Sequence, residues 1–210
     1  MFLAEFWLKI SYHYFEEFDL QAVIRIYNEF MRSHQEGNEV VMHNDVCFLG
    51  DKRSEVRLLD ECLTRHGRRT QTNFEDAETY RVMYNRVGLN VLTDAKQRKR
   101  AAAILDRELY VVRQTKKINF QRESGCLKLC TIHSFKGWEI RAVFLILGAG
   151  ALGVEAGGGA VSADAAQEEQ DLLAAELVYT GITRAKEFLF IINIGHREYD
   201  KVFREFMESA

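Results

Sequence analysis

Proline is missing from all 210 residues, an absence for which the sequence itself offers no physical reason. Cysteine is scarce: Cys47, Cys62, Cys126 and Cys130. Cys126-x-x-x-Cys130 has no second close pair, which argues against a zinc site, and no metal ligands are assigned. Buried, reduced thiols in a cytoplasmic protein are the plain reading. No apolar run reaches the roughly 18 residues of a membrane span, and the N-terminus lacks a basic stretch followed by a long apolar core. Neither a membrane helix nor a signal peptide is expected. Also missing is any G-x-x-x-x-G-K-[ST], so the 210 residues contain no phosphate-cradling loop with its magnesium-binding hydroxyl. No acidic Walker B strand precedes the stretches discussed below.

What is present is an ordinary globular composition, 47% hydrophobic and 28% charged, enough for one α/β core or one core plus a small appendage. The net charge of −3 does not advertise a polyanion partner, but it is unevenly spread. Residues 81–128 hold twelve Lys/Arg against four Asp/Glu, a balance of +8, and the remainder carries −11. Such a basic segment is either a solvated helix face or a phosphate-tracking surface.

Hydrophobic spacing predicts a helix over 16–34, with Phe18, Ala22, Val23, Ile26, Tyr27 and Phe30 on one face. Val40–Leu49 reads as a strand broken by Gly50-Asp51. A helix over 53–66 follows, with Ser54 as its expected cap and Gly67 ending it. Residues 74–117 read as a polar, basic helical insertion. Leu127–Ile132, Ala142–Leu147 and 188–194 read as strands, the second apolar throughout, as suits a strand buried on both faces. Helices are expected over 167–184 and Tyr199–Met207. Strands alternating with helices predict an α/β fold with a mainly parallel sheet flanked by helices. The expected division is an N-terminal helical segment, 1–39, followed by one domain, 40–210.

The segment 148–166 holds six of the 14 glycines between 148 and 159 and reads as a mobile Gly/Ala loop. Its start, Gly148-Ala-Gly150-Ala-Leu-Gly153, spells G-x-G-x-x-G after an apolar strand. A dinucleotide-binding turn would need a helix directly after Gly153 and an acidic residue about 20 residues on, at the end of a second strand. Gly157-Gly158-Gly159 would break that helix, so the oxidoreductase reading is set aside.

Two stretches concentrate hydroxyls and charges beside apolar strands. The first is Cys130-Thr131-Ile132-His133-Ser134-Phe135-Lys136-Gly137-Trp138-Glu139. The second is Leu177-Val178-Tyr179-Thr180-Gly181-Ile182-Thr183-Arg184-Ala185-Lys186-Glu187. Thr131, His133, Ser134 and Lys136 supply donors suited to phosphate oxygens. Taken alone, Arg184 and Lys186 could serve only a helix C-terminal dipole.

In this order and spacing the pair resembles motifs V and VI of superfamily 1 helicases of the UvrD/Rep type. The resemblance is to their second, C-terminal RecA-like domain and covers roughly residues 40–195. It implies a RecA-like fold, a P-loop-NTPase-type parallel sheet here carrying a short helical insertion at about 74–117. It assigns Arg184 as an arginine finger toward the γ-phosphate of ATP, with Glu139 toward the ribose and Gly137 keeping the backbone close to the nucleotide. It places Thr131 and His133 against single-stranded DNA, with Ser134 beside them and Lys136 able to serve either side. ATP and its Mg2+ would then be held by an N-terminal RecA-like domain of the same protein, and this chain alone should not hydrolyse ATP. Beside a DNA-facing motif V, the basic insertion becomes a candidate for phosphate contact.

One departure stands out. The family carries an arginine in motif IV, ahead of a helix. If Ile10–Phe15 corresponds, His13 occupies that place, and a neutral histidine cannot replace a permanent bidentate cation. The rival reading is a non-catalytic helicase-like module that docks nucleic acid or protein.

Overall fold

The computed structural model describes residues 8–35, 40–121, 123–135, 137–148 and 175–209. Six strands form one all-parallel sheet: β1 (Lys9–Phe15), β2 (Val46–Gly50), β3 (Thr70–Thr72), β4 (Leu127–Thr131), β5 (Ile140–Gly148) and β6 (Ala185–Ile194). Their spatial order is β1-β6-β5-β2-β4-β3. Among the described residues six helices accompany them: α1 (Leu20–Ser33), α2 (Arg53–Arg65), α3 (Ala77–Arg86), α4 (Ala95–Ile118), α5 (residues 175–182) and α6 (Arg197–Ser209). The architecture is α/β, as the alternation of strand and helix patterns predicts.

Both faces of the sheet are covered. In β5, Ala142, Phe144 and Ile146 join one core with Val23, Tyr27 and Phe30 of α1 and Val56, Leu59 and Leu63 of α2. Val143, Leu145 and Leu147 join the other, with Val178 of α5 and the partly buried Tyr199 and Phe203 of α6. A strand buried on both faces shows a continuous apolar run, which is why AVFLIL has no polar alternation. Phe144 stacks on Phe190 of the neighbouring strand, with centroids 4.3 Å apart and planes 4° from parallel.

Several local expectations are corrected. Residues 9–15 are not helical; they form the edge strand β1, registered from Lys9↔Phe188 to Phe15↔Ile194. Residues 9–15, placed in the separate helical segment expected over 1–39, therefore belong to the same sheet. Its helix, α1, starts at the Asp19 cap, whose carboxylate accepts from Ala22 N at 2.9 Å. The strand expected over Val40–Leu49 shortens to Val46–Gly50, because Val46–Gly50 pair with β5 and Cys47–Gly50 with β4, while the residues before them pair with neither. At α2 the N-cap is Lys52, not Ser54, and no side chain caps it. Gly67, at φ 75°, does end that helix, with Arg68 N bonded to Leu63 O at 3.0 Å.

The insertion is a pair of helices, α3 and α4, each capped by an aspartate: Asp76 to Thr79 N at 2.8 Å and Asp94 to Gln97 N at 2.9 Å. They share a small core of Leu89, Ala101, Leu105 and Leu109. Among the described residues no helix is long and apolar enough to cross a membrane. Lys136, the Gly/Ala segment from 149 to 166 and the first part of the helix expected from 167 lie outside the described residues.

Candidate nucleic-acid interface and nucleotide edge

All strands point the same way, so the sheet has a carboxyl edge and an amino edge, and the sequence-predicted residues divide between them. Thr131 ends β4 level with Gly50 of β2, which is level with Ile146 of β5. Glu139 precedes the first residue of β5, and Arg184 precedes the first residue of β6. Six strand rises separate Ile140 from Ile146, so the two groups lie about 20 Å apart along the sheet. The segment 132–139 runs from one edge to the other.

At the carboxyl edge, β2 and β4 are neighbours whose exits diverge. The chain leaving β2 enters α2, whose Val56 and Leu59 pack on one face of the sheet. The chain leaving β4 enters a 3-10 turn, Ile132–Phe135, packed on the other. A crevice opens wherever adjacent parallel strands send their connections to opposite faces. The turn presents its residues by period: Ile132 and Phe135, three apart, both point into the core, leaving His133 and Ser134 exposed. The Thr131 and Ser134 hydroxyls lie 2.8 Å apart.

The crevice is a cleft of about 680 Å³, whose lining includes Thr131, His133 and Ser134. Its charged lining is Lys52, Arg53, Arg57, Arg98, Arg113 and Lys117 against Asp51 and Asp106. Not all of these cations face solvent equally. Arg113 grips the fully buried Glu75 through two hydrogen bonds, 2.7 and 2.9 Å, and Arg57 lies 3.8 Å from the same carboxylate. Arg57 also covers the Tyr80 ring at 3.7 Å. Arg53 is exposed at the mouth and makes no ion pair among the described residues. Partial desolvation, and then the neighbouring Arg113, lower its proton affinity below the usual arginine value. Arg53 is also the first residue of α2, whose leading N–H groups have no side-chain cap. Together these give a cationic, donor-rich cleft fitted to an anionic chain.

Sequence reasoning missed Lys52 and Arg53, reading that junction as an ordinary helix start. The signal was there: a strand ending in Gly-Asp, then Lys-Arg where a capping side chain is usual. It also missed Asp51 and Glu55 beneath them. Burial pushes the Glu55 carboxyl up to about 7, with Asp51 adding to the effect, and burial likewise raises Asp51.

The amino edge carries Gly137, Glu139 and Arg184. Gly137 sits at φ 81°, a conformation that admits a non-glycine residue only with strain. Glu139 is exposed and faces Lys186 at 3.7 Å. Arg184 is held by three neutral acceptors: its Nε donates to Thr180 O at 3.1 Å, Nη1 to Trp138 O at 3.3 Å and Nη2 to Thr183 Oγ1 at 3.0 Å. Among the described residues it has no carboxylate partner, so its charge is not cancelled. Ile140 N donates to Arg184 O at 3.0 Å, tying the two predicted stretches together. His13 is not part of this cluster. It pairs with Ile192, seven residues along β6 from Ala185, and its ring bonds Ser11 Oγ at 2.9 Å.

No protein-family model matches the chain, and no curated protein matches it. The C-terminal domain of a possible DNA helicase from Lactobacillus plantarum WCFS1 is a structural neighbour. It is 14% identical, aligned over 90% of this chain and 74% of that one, with a TM-score of 0.43. A likeness that distant bears on neither activity nor ligand.

Proposed function

We propose that this chain is the C-terminal RecA-like part of an ATP-dependent superfamily 1 DNA helicase. Single-stranded DNA lies across the carboxyl-edge cleft on Thr131, His133, Ser134 and the cations of α2 and α4. Arg184 and Glu139 face a nucleotide held mainly by another domain of the same protein. One observation carries the reading: residues 132–139 join the phosphate-suited cleft to the edge that holds Glu139 and Arg184. A shift at either edge is therefore transmitted through one short connection, as coupling of nucleotide state to grip on a strand requires. ATP with Mg2+ would supply the free energy. The part of this chain is to place a permanent cation where negative charge accumulates on the transferring phosphoryl group.

Lys136 belongs to this proposal on sequence grounds alone. A second reading has its own support. Nε, Nη1 and Nη2 of Arg184 are all engaged locally, as they would be in a structural staple. In that case the chain is a nucleic-acid-binding module without a catalytic part.

Binding of a labelled oligothymidylate, followed by fluorescence anisotropy over a salt series, tests the cleft. Affinity should fall with salt by about 0.7 log units per log unit for each phosphate contact. Absence of binding at 50 mM salt would reject both readings as far as they concern nucleic acid. In the intact protein, Arg184→Ala should abolish ATP turnover while leaving nucleotide binding largely in place. Unchanged turnover leaves the module.

A further inference from the structure

Beside the cleft lies a pair of carboxyl groups that the proposed strand contacts do not use. Asp51 follows Gly50 at the end of β2, and Glu55 stands one helical turn later in α2. Glu55 is only 4% exposed, and its Oε2 has no hydrogen-bond partner. It is packed so tightly against the end of β5 that a Cβ on Gly148 would overlap its carboxyl group. Asp51 Oδ1 accepts from Gly148 N at 3.2 Å.

The charged groups facing this pair come from three elements. Lys52 belongs to the same turn, and its Nζ donates to Gly148 O at 3.0 Å. His196, in the turn after β6, acts on Asp51 through its charge. Asp51, Lys52 and Arg53 also line the cleft itself, opposite Thr131, His133 and Ser134 of the β4 exit.

Two carboxyl groups that both converge on Gly148 at a desolvated site cannot both ionise cheaply near neutrality. An orphaned, buried Glu55 oxygen is tolerable on a neutral acid and costly on an anion. The perturbed titration of Glu55 noted above agrees with this geometry. An anion entering the cleft beside Lys52 and Arg53 adds a further negative charge close to Asp51.

We propose that Asp51 and Glu55 share one proton, and that occupancy of the cleft by a nucleic-acid phosphate makes the pair retain or take up that proton. The inference rests on the polyanion reading of the cleft and adds a regulator to it. With the pair protonated, the charge of Lys52 is available to the phosphate. With the pair fully ionised, part of that charge is spent on the carboxylates. Linkage fixes the sign: the bound state holds the proton more tightly, so affinity falls as pH rises through the titration of the pair. For one proton the ceiling is tenfold per pH unit.

The test uses the full 210-residue chain and a labelled 15-nucleotide oligothymidylate at fixed ionic strength. Anisotropy from pH 6 to 8 should show affinity falling roughly three- to tenfold. Calorimetry at pH 7, in two buffers of different protonation enthalpy, should show uptake of a fraction of one proton per strand bound. Glu55→Gln should flatten the pH dependence and keep tight binding at pH 8; Asp51→Asn serves the same purpose if Glu55→Gln does not fold. Imidazoles also gain charge as pH falls, so His133→Gln is the control. The slope should survive that change, and its loss would move the effect to His133 and overturn the proposal. So would a slope that persists in Glu55→Gln, or binding without proton uptake. Carbon-13 NMR of the unbound chain separates the two failures. If Glu55 titrates in the ordinary carboxylate range, the shared proton is wrong even where DNA binds. If Glu55 titrates near neutrality but no strand binds at any pH, the polyanion reading is what fails.

Discussion

Arg113, near the end of α4, donates two hydrogen bonds to Glu75, a carboxylate with no solvent exposure in the segment ahead of α3. This contact fixes the inserted helix against the sheet domain and so builds one wall of the cleft. The carboxylate raises the proton affinity of Arg113 further, so the guanidinium stays charged at every working pH. Removing one partner of a buried pair leaves the other charge stranded, which costs about 3–5 kcal/mol. Glu75→Gln is therefore expected to lower the unfolding free energy by about 3 kcal/mol in urea, with hydrogen exchange accelerating first in α4. A change under about 0.5 kcal/mol would show that the packing of Leu105 and Leu109 alone holds the helix.

Arg53 makes no close ion pair among the described residues, feels Glu75 and Asp106 only through their charge, and stands at an uncapped helix start on the cleft. Its removal should touch binding and little else. Arg53→Ala is expected to weaken oligothymidylate binding equally for different sequences and to reduce the salt slope by about 0.7. Thermal stability should stay within the range of a surface change, about 0.5 kcal/mol. A full salt slope in Arg53→Ala would place the strand elsewhere on the molecule.

The strand pair β5–β6 was legible from AVFLIL and FLFIIN because burial on both faces removes polar alternation. The edge strand β1 was not, since KISYHYF has no apolar run and becomes a strand only by pairing with a partner more than 170 residues away. Thr-Gln-Thr of β3 is three residues long and carries no pattern at all. The residues of the candidate site were legible as two stretches of hydroxyls and charges beside apolar strands, but their division between two edges of the sheet was not. That division depends on strand direction and order, which no local spacing encodes. Arg53 and Lys52 were overlooked for a related reason: their meaning comes from β4 and α4, which reach the same crevice from distant parts of the chain.

Phe144 lies between α1 and its stacked neighbour Phe190, fully buried in the central sheet. Phe144→Ala removes a large side chain where the strands cannot collapse, and should cost about 3–5 kcal/mol. Phe144→Leu keeps most of the volume, loses the aromatic contacts and should cost less than half as much. Equal losses in the two variants, measured by urea unfolding, would mean that ring geometry matters here more than filled volume.

Glu55 makes the stability of the fold depend on pH in the direction opposite to a salt-bridged acid. Its folded-state value, about 7, lies above the 4.5 of an unperturbed glutamate, with burial as the main cause and Asp51 second. Below pH 4.5 the group is protonated in both states and contributes no pH dependence. Between 4.5 and about 7 the unfolded chain releases the proton while the folded one keeps it, so stability falls as pH rises. Above about 7 both states are ionised and the loss is complete, amounting to about 3 kcal/mol at most. Glu55→Gln, which carries no charge in either state, should therefore be more stable than the parent at pH 8 and close to it at pH 4.5. Urea midpoints measured at both values check this; a variant equally destabilised at both would mean that the Glu55 carboxyl titrates alike in the folded and unfolded chains.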